Sequence, residues 1–116
     1  MNQHTARKIA IDARNEALEL FKWVHAERLI GKEARQATER ARDILHTACS
    51  DFEDGDGHTV FEDLYLPIFD ALSFVTGVLN GSDWRRWHDS YRSFILTNTA
   101  QAITILESMT RFQPPY

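Results

Sequence analysis

Apolar residues recur every three or four positions along most of the 116-residue chain, and this spacing places them on one face of an α-helix. The first stripe lies between Thr5 and Ile30. Its members are Ile9, Ala13, Ala17, Leu20, Phe21 and Val24. Gly31 follows, and glycine often ends a helix in the left-handed conformation. A first helix is therefore predicted over residues 5–30.

A second, narrower stripe runs from Lys32 to Phe52 and begins with small side chains that let a neighbouring helix approach closely. Its members are Ala34, Ala37, Ala41, Ile44, Leu45, Ala48 and Phe52. This pattern predicts a second helix over residues 32–52. The next residues, 51–58, are rich in aspartate and glycine and predict a loop.

The third predicted helix covers residues 60–79 and is apolar almost all the way round. Thr59 and Glu62 match a capping box, which favours a helix start at Val60. Pro67 removes one backbone hydrogen bond and crowds the preceding turn, so we expect the helix to be kinked or broken there. A helix that is apolar on all sides is central in its fold or faces a partner.

The last predicted helix covers residues 83–112, with Ser82 or Asp83 as its cap. One face carries Trp87, Tyr91, Phe94, Ile95, Asn98, Ala102, Ile105, Leu106 and Met109. Asn98 is the polar exception on that face, and it predicts either a break in the helix or a buried polar group that fixes the packing register.

These patterns together predict an all-α protein, with one compact domain of four to five antiparallel helices. The composition agrees, since 43% hydrophobic and 26% charged residues are typical of a globular chain. The sequence has no apolar run at its start and no apolar stretch of membrane-spanning length. We therefore expect a cytoplasmic protein of bacterial or phage origin that does not associate with a membrane.

Charge and cysteine content exclude several classes of function. The formal net charge of -4 argues against duplex nucleic acid as a bulk partner, because proteins that bind it usually carry a basic excess. The single cysteine, Cys49, allows neither an intramolecular disulfide nor a cysteine-based metal site. Cys49 lies on an apolar helix face, so we interpret it as a small buried hydrophobe rather than a reactive thiol.

No catalytic motif is present, so a non-enzymatic protein without a cofactor is predicted. A helical metal-binding or hydrolytic domain is the alternative. It would use Glu39, Asp43 and His46, which lie close together on one helical side, or the acidic loop 51–63. That loop resembles a calcium loop, but each register places an unsuitable residue at a key position.

The most distinctive stretch combines tryptophan, tyrosine and arginine, the residue types most enriched at binding hot spots. It consists of Trp84, Arg85, Arg86, Trp87, His88, Tyr91 and Arg92. On a helix the aromatic residues and His88 would cluster on one side, with the arginines flanking them. We interpret this segment as a partner-binding surface, although Trp87 and Tyr91 would also suit the protein core.

The favoured hypothesis for function is a small protein–protein interaction module of the inhibitor, immunity or anti-defence type that binds a macromolecular partner. Homodimerisation through the Pro67 or Trp87 helices would use the excess apolar surface. A small nucleic-acid-binding regulator is a further alternative, since single strands can stack on exposed aromatic rings.

Overall fold

The computed structural model is all-α, which confirms the predicted fold class. It describes residues 1–29, 31–55, 57–81 and 89–109, with only the backbone of residues 81 and 89–92. No β-strand occurs in these ranges. The helices are α1 Gln3–His25, α2 Gly31–Asp54, α3 Gly57–Val60, α4 Glu62–Gly81 and α5 Asp89–Ser108.

The four long helices pack in the cyclic order α1, α2, α4 and α5, and the short α3 lies between α2 and α4. The core lies among them and takes large side chains from each. The largest fully buried ones are Phe21, Phe52, Leu45, Ile68, Ile95, Leu106, Val24 and Val75. On α1 and α2 half of the buried positions are alanine, so these two helices can approach each other closely.

Helix α1 is shorter than the predicted 5–30 and is displaced towards the N-terminus. It begins at Gln3 because the Asn2 side chain accepts a hydrogen bond from the Thr5 N–H at 2.8 Å, which caps the first turn. It ends at His25. The predicted end near Gly31 was wrong: Gly31 does have a positive φ of 56°, but it stands at the start of α2.

The end of α1 is a Schellman turn built on a residue other than glycine. The Arg28 N–H donates to the Trp23 carbonyl at 3.1 Å, and the Glu27 N–H donates to the Val24 carbonyl at 3.0 Å. Glu27 takes the left-handed position, with a φ of 59°. Because a side chain with a Cβ is disfavoured in this conformation, by about 1–2 kcal/mol, this turn carries strain that glycine would not.

Replacing Glu27 with glycine is therefore expected to raise the free energy of unfolding, by about 0.5–1 kcal/mol. Glu19→Gly is the matched control. Glu19 is exposed in the interior of α1, where glycine costs about 1 kcal/mol. Urea denaturation of the two variants should therefore shift the midpoint in opposite directions. A loss of stability in both variants would contradict the strain at Glu27.

The residues predicted to form the loop 51–58 are mostly helical, so this prediction was wrong. Helix α2 continues to Asp54, and α3 begins at Gly57. The reason is tertiary, because Phe52 is fully buried and the helix carries it into the core. Thr59 lies inside α3. The Phe61 carbonyl instead accepts the first bonds of α4, from the N–H groups of Leu64 and Tyr65 at 3.0 Å.

Pro67 does not break its helix, so of the two outcomes expected there, a kink or a break, the break was wrong. Helix α4 continues from Glu62 to Gly81 with Pro67 in its second turn. The proline removes only the hydrogen bond that would reach the carbonyl of Asp63. Asp63 is exposed, so its carbonyl can be hydrated instead. On both sides of Pro67, buried Leu64 and Ile68 fix the helix against the core.

Asn98 does not interrupt α5 either, so the break predicted there was also wrong. Its side-chain amide donates to the Phe94 carbonyl one turn earlier, at 2.8 Å. Buried Thr99 donates in the same way to the Ile95 carbonyl at 2.7 Å. These bonds satisfy the polar side chains within the helix. Of the predicted range 83–112, α5 covers Asp89–Ser108 and buried Met109 follows it, whereas residues 83–88 and 110–112 lie outside the described residues.

Candidate partner-binding surface

Most of the partner-binding segment predicted from sequence lies outside the described residues. This applies to Trp84, Arg85, Arg86, Trp87 and His88. Tyr91 and Arg92 belong to α5, where the structure gives their backbone alone. The assignment of these seven residues to an interface therefore stays a prediction.

A different surface, on α4, exposes large apolar side chains. The exposed fractions are 43% for Leu66, 43% for Phe69 and 39% for Phe74. Asp70, Ser73 and Gly77 are exposed between them. We call Leu66, Phe69, Ser73, Phe74 and Gly77 the α4 outer face. The opposite side of the helix packs into the core, so the all-round apolar pattern of α4 resolves into one buried side and one exposed side.

The α4 outer face is anchored to α2 by an aromatic cluster. The Phe69 ring stacks on Tyr65 at a centroid distance of 5.7 Å, and Tyr65 lies 6.0 Å from Phe52. The Tyr65 hydroxyl donates to a Glu53 carboxylate oxygen at 2.7 Å. Burial and the bond to Glu53 raise the pKa of Tyr65 above its ordinary value, so the phenol remains a neutral donor. Tyr65 therefore gives Phe69 a fixed support.

Cys49 lies beside this cluster on the buried side of α2. It is 3% exposed, and burial together with the negative charge of Glu53 raises the pKa of its thiol to about 11. Since the thiolate is the reactive form, little of it exists near neutral pH. The interpretation of Cys49 as a small buried hydrophobe is confirmed.

Arg14 makes a buried contact with α5 that was not predicted from the sequence. It is 7% exposed, and its Nε donates to the Leu106 carbonyl at 3.0 Å. Its Nη1 donates to the Asn15 side-chain oxygen at 2.6 Å. Leu106 lies in the last turn of α5, where carbonyls lack partners within the helix and a positive charge is favourable. Arg14 therefore caps α5 from α1.

A signal for Arg14 was available in the sequence. It follows Ala13 directly and stands four residues after Ala10, so it occupies the apolar side of α1. A charged residue at such a position must find acceptors inside the protein, because burying an unpaired polar group is costly. The identity of the acceptor could not be predicted, since Leu106 is 92 positions away in the chain.

Helices α1 and α2 enclose a groove with a volume of about 390 Å³. Its floor is formed by Ile9, Ala13, Ile44 and Ala48, and exposed Thr47 also lines it. Its rim carries the charged side chains of Asp12, Glu16, Arg40, Asp43 and Asp51. The depression exists because buried Ala13 and Ala48 fill little space where the two helices meet. The groove therefore combines an apolar floor with an acidic rim.

The residues suggested as metal ligands either pair with arginines or are exposed. Glu39 accepts a bond from Arg35 at 2.7 Å, Asp43 pairs with Arg42 at 3.0 Å, and His46 is exposed. Within residues 1–29, 31–55, 57–81 and 89–109, no three His, Cys, Asp or Glu side chains form a group that could hold a metal. The described part of the acidic stretch 51–63 is largely helical and lacks the open loop of a calcium site.

No protein family, no curated protein and no solved structure matches this chain. Among the described helices, none is both long enough and apolar enough to cross a membrane. Any functional assignment therefore depends on the surfaces of the helical bundle itself.

Proposed function

We propose that this protein is a small, non-enzymatic interaction module that binds a macromolecular partner through the α4 outer face. The observation that carries the proposal is the exposure of Leu66, Phe69 and Phe74 on one side of a single helix. Isolated exposed apolar residues are common on protein surfaces. Three large ones on one helix face are typical of a surface that becomes covered in a complex.

The physical gain on binding would come from removing these side chains from water. Burial of apolar surface contributes roughly 25 cal/mol for each Å², before the costs of association are subtracted. Phe69 is well suited to this role, because its ring already stacks on Tyr65 at 5.7 Å. Less side-chain freedom is then lost when the partner binds, which favours the complex.

The finer proposal is an inhibitor, an immunity protein or an anti-defence protein, and the exposed α4 outer face supports it. An inhibitor, an immunity protein or an anti-defence protein acts by covering a site on another macromolecule, and an exposed helix face meets that need without catalytic groups. A cytoplasmic protein of bacterial or phage origin would fit this role. A second copy of the chain is one candidate occupant of the face, and photo-crosslinking distinguishes it from a different protein.

The test is site-specific photo-crosslinking in cells of the source organism. Phe69 is replaced by p-benzoylphenylalanine, and the control carries the same group in place of exposed Glu19 on α1. We expect one discrete covalent adduct from position 69 and none from position 19. Mass spectrometry then identifies the partner, or a second copy of the chain, in the adduct.

Binding must then be reproduced with purified components. Phe69→Ser is expected to weaken the complex at least about tenfold, since a buried aromatic anchor is often a hot spot. Glu19→Ser should leave affinity unchanged. Absence of an adduct at position 69, or equal affinity of the Phe69→Ser variant and the wild type, would refute the proposed surface.

A further inference from the structure

The groove between α1 and α2 has a charge pattern that points to a particular kind of ligand. Asp12, Glu16, Asp43 and Asp51 contribute four carboxylates to its rim, against the single guanidinium of Arg40. Asp12 pairs with exposed Lys8 at 3.3 Å, and Asp43 pairs with Arg42 at 3.0 Å. Glu16 and Asp51 form no ion pair with any described residue. The rim is therefore net negative and retains carboxylates that a cation can approach.

The floor of the groove is apolar, so a ligand must offer apolar contacts to the floor as well as positive charge to the rim. Ile9 and Ile44 are half-buried, and Ala13 and Ala48 lie below them. A ligand that matches both features has apolar groups in its centre and basic groups at its edges. Complementary charge at the rim would orient such a ligand and speed its association.

The shape of the groove favours a helical segment. Its lining residues on α2 run from Arg40 to Asp51, which corresponds to about 16 Å along the helix axis. The groove is open along its length, whereas small-molecule sites usually enclose most of their ligand. Side chains of a third helix can pack into the depression between two neighbouring helices, with anchors three or four residues apart.

We propose that the α1–α2 groove binds a basic amphipathic helix of a partner protein. Two or three apolar side chains of that helix lie on Ile9, Ile44 and the alanines between them. Lysine or arginine residues on its flanks pair with Glu16 and Asp51. This second binding site goes beyond the proposed function and rests on it in one respect, that the protein is a binding module. The α4 outer face is a separate surface.

The test uses the intact protein and a synthetic helical peptide of about 18 residues, with leucines on one face and lysines on its flanks. A peptide with glutamates in place of the lysines is the negative probe. Fluorescence anisotropy is expected to show saturable binding of the lysine peptide and none of the glutamate peptide. Affinity should fall as salt rises, because ions screen the rim charges.

Two matched charge-reversal variants test whether the lysine peptide binds in the α1–α2 groove. The double variant Glu16→Lys with Asp51→Lys is expected to lower the affinity for the lysine peptide at least about tenfold. The control, Asp70→Lys with Glu107→Lys, makes the same change in net charge at exposed positions of α4 and α5. It should lower the affinity for the lysine peptide less than about threefold. Circular dichroism verifies that both variants fold.

Two results would overturn the groove assignment. One is the absence of saturable binding to the wild-type protein. The other is an equal loss in the two charge-reversal variants, which would mean attraction to the overall negative charge alone. Because the crosslink at position 69 reports on the α4 outer face, its outcome is independent of the peptide measurement. Failure of one surface is therefore distinguishable from failure of the other.

Discussion

Phe52→Ala is expected to lower the free energy of unfolding by about 3–5 kcal/mol. Phe52 is 0% exposed and lies 6.0 Å from the Tyr65 ring, where α2, α3 and α4 meet. Removing the ring leaves a cavity that the surrounding helices cannot fill, so both the transfer free energy and packing contacts are lost. Since domains of this size are stable by only about 5–15 kcal/mol, much of the total stability would disappear.

Urea denaturation followed by circular dichroism measures this effect. Phe94→Ala is the control, because it removes the same ring from a position on α5 that is 48% exposed. That change is expected to cost less than about 1 kcal/mol. Similar losses in the two variants would show that Phe52 is not the packing centre that its burial indicates.

Arg14→Met is expected to lower the free energy of unfolding by about 2–3 kcal/mol. Methionine retains most of the side-chain volume but cannot donate to the Leu106 carbonyl, 3.0 Å from Nε in the wild type. A buried carbonyl in the last turn of α5 then lacks its partner, and the favourable charge at the helix end is lost. The contact between α1 and α5 should weaken most.

The matched control for Arg14 is Lys22→Met, which also removes a cation that links α1 to α5. Lys22 pairs with Glu107 at 3.6 Å, and both side chains are more than half exposed. Surface ion pairs contribute little, so a change of less than about 0.5 kcal/mol is expected. Amide hydrogen exchange in the last turn of α5 should accelerate in the Arg14 variant alone. Unchanged exchange there would contradict the capping role.

The sequence predicted well the features that depend on local periodicity. On α1, four of the six stripe residues are buried, and Ile9 and Leu20 pack partly against the core. The α2 stripe is buried almost throughout, apart from half-buried Ile44. These predictions succeeded because positions three or four apart lie on one face of any helix, whatever it packs against.

Local rules were less successful at helix ends and at proline. The Schellman turn at Glu27 lacks the glycine that usually marks such a turn, so the end of α1 carried no clear signal. Helix α2 extends two residues past Phe52, to Asp54, because burial of that ring outweighs the weak helix propensity of aspartate. Pro67 is tolerated because one lost hydrogen bond costs less than the packing of α4 gains.

The candidate sites could be located only in the tertiary structure. The sequence showed that α4 carries more apolar side chains than one buried face requires. Only the packing of α4 against α2 and α5 decided that Leu66, Phe69 and Phe74 remain exposed. The acidic groove was hidden from sequence analysis for a similar reason, because its rim draws carboxylates from two helices.

The sequence by itself determined that this protein is all-helical and which faces of α1 and α2 turn inward. Those properties follow from residue spacing within a single helix. The tertiary structure decided which apolar residues stay outside, where carboxylates gather into a groove, and which carbonyl Arg14 caps. Each of these depends on contacts between residues that are distant in the chain, and local spacing carries no information about them.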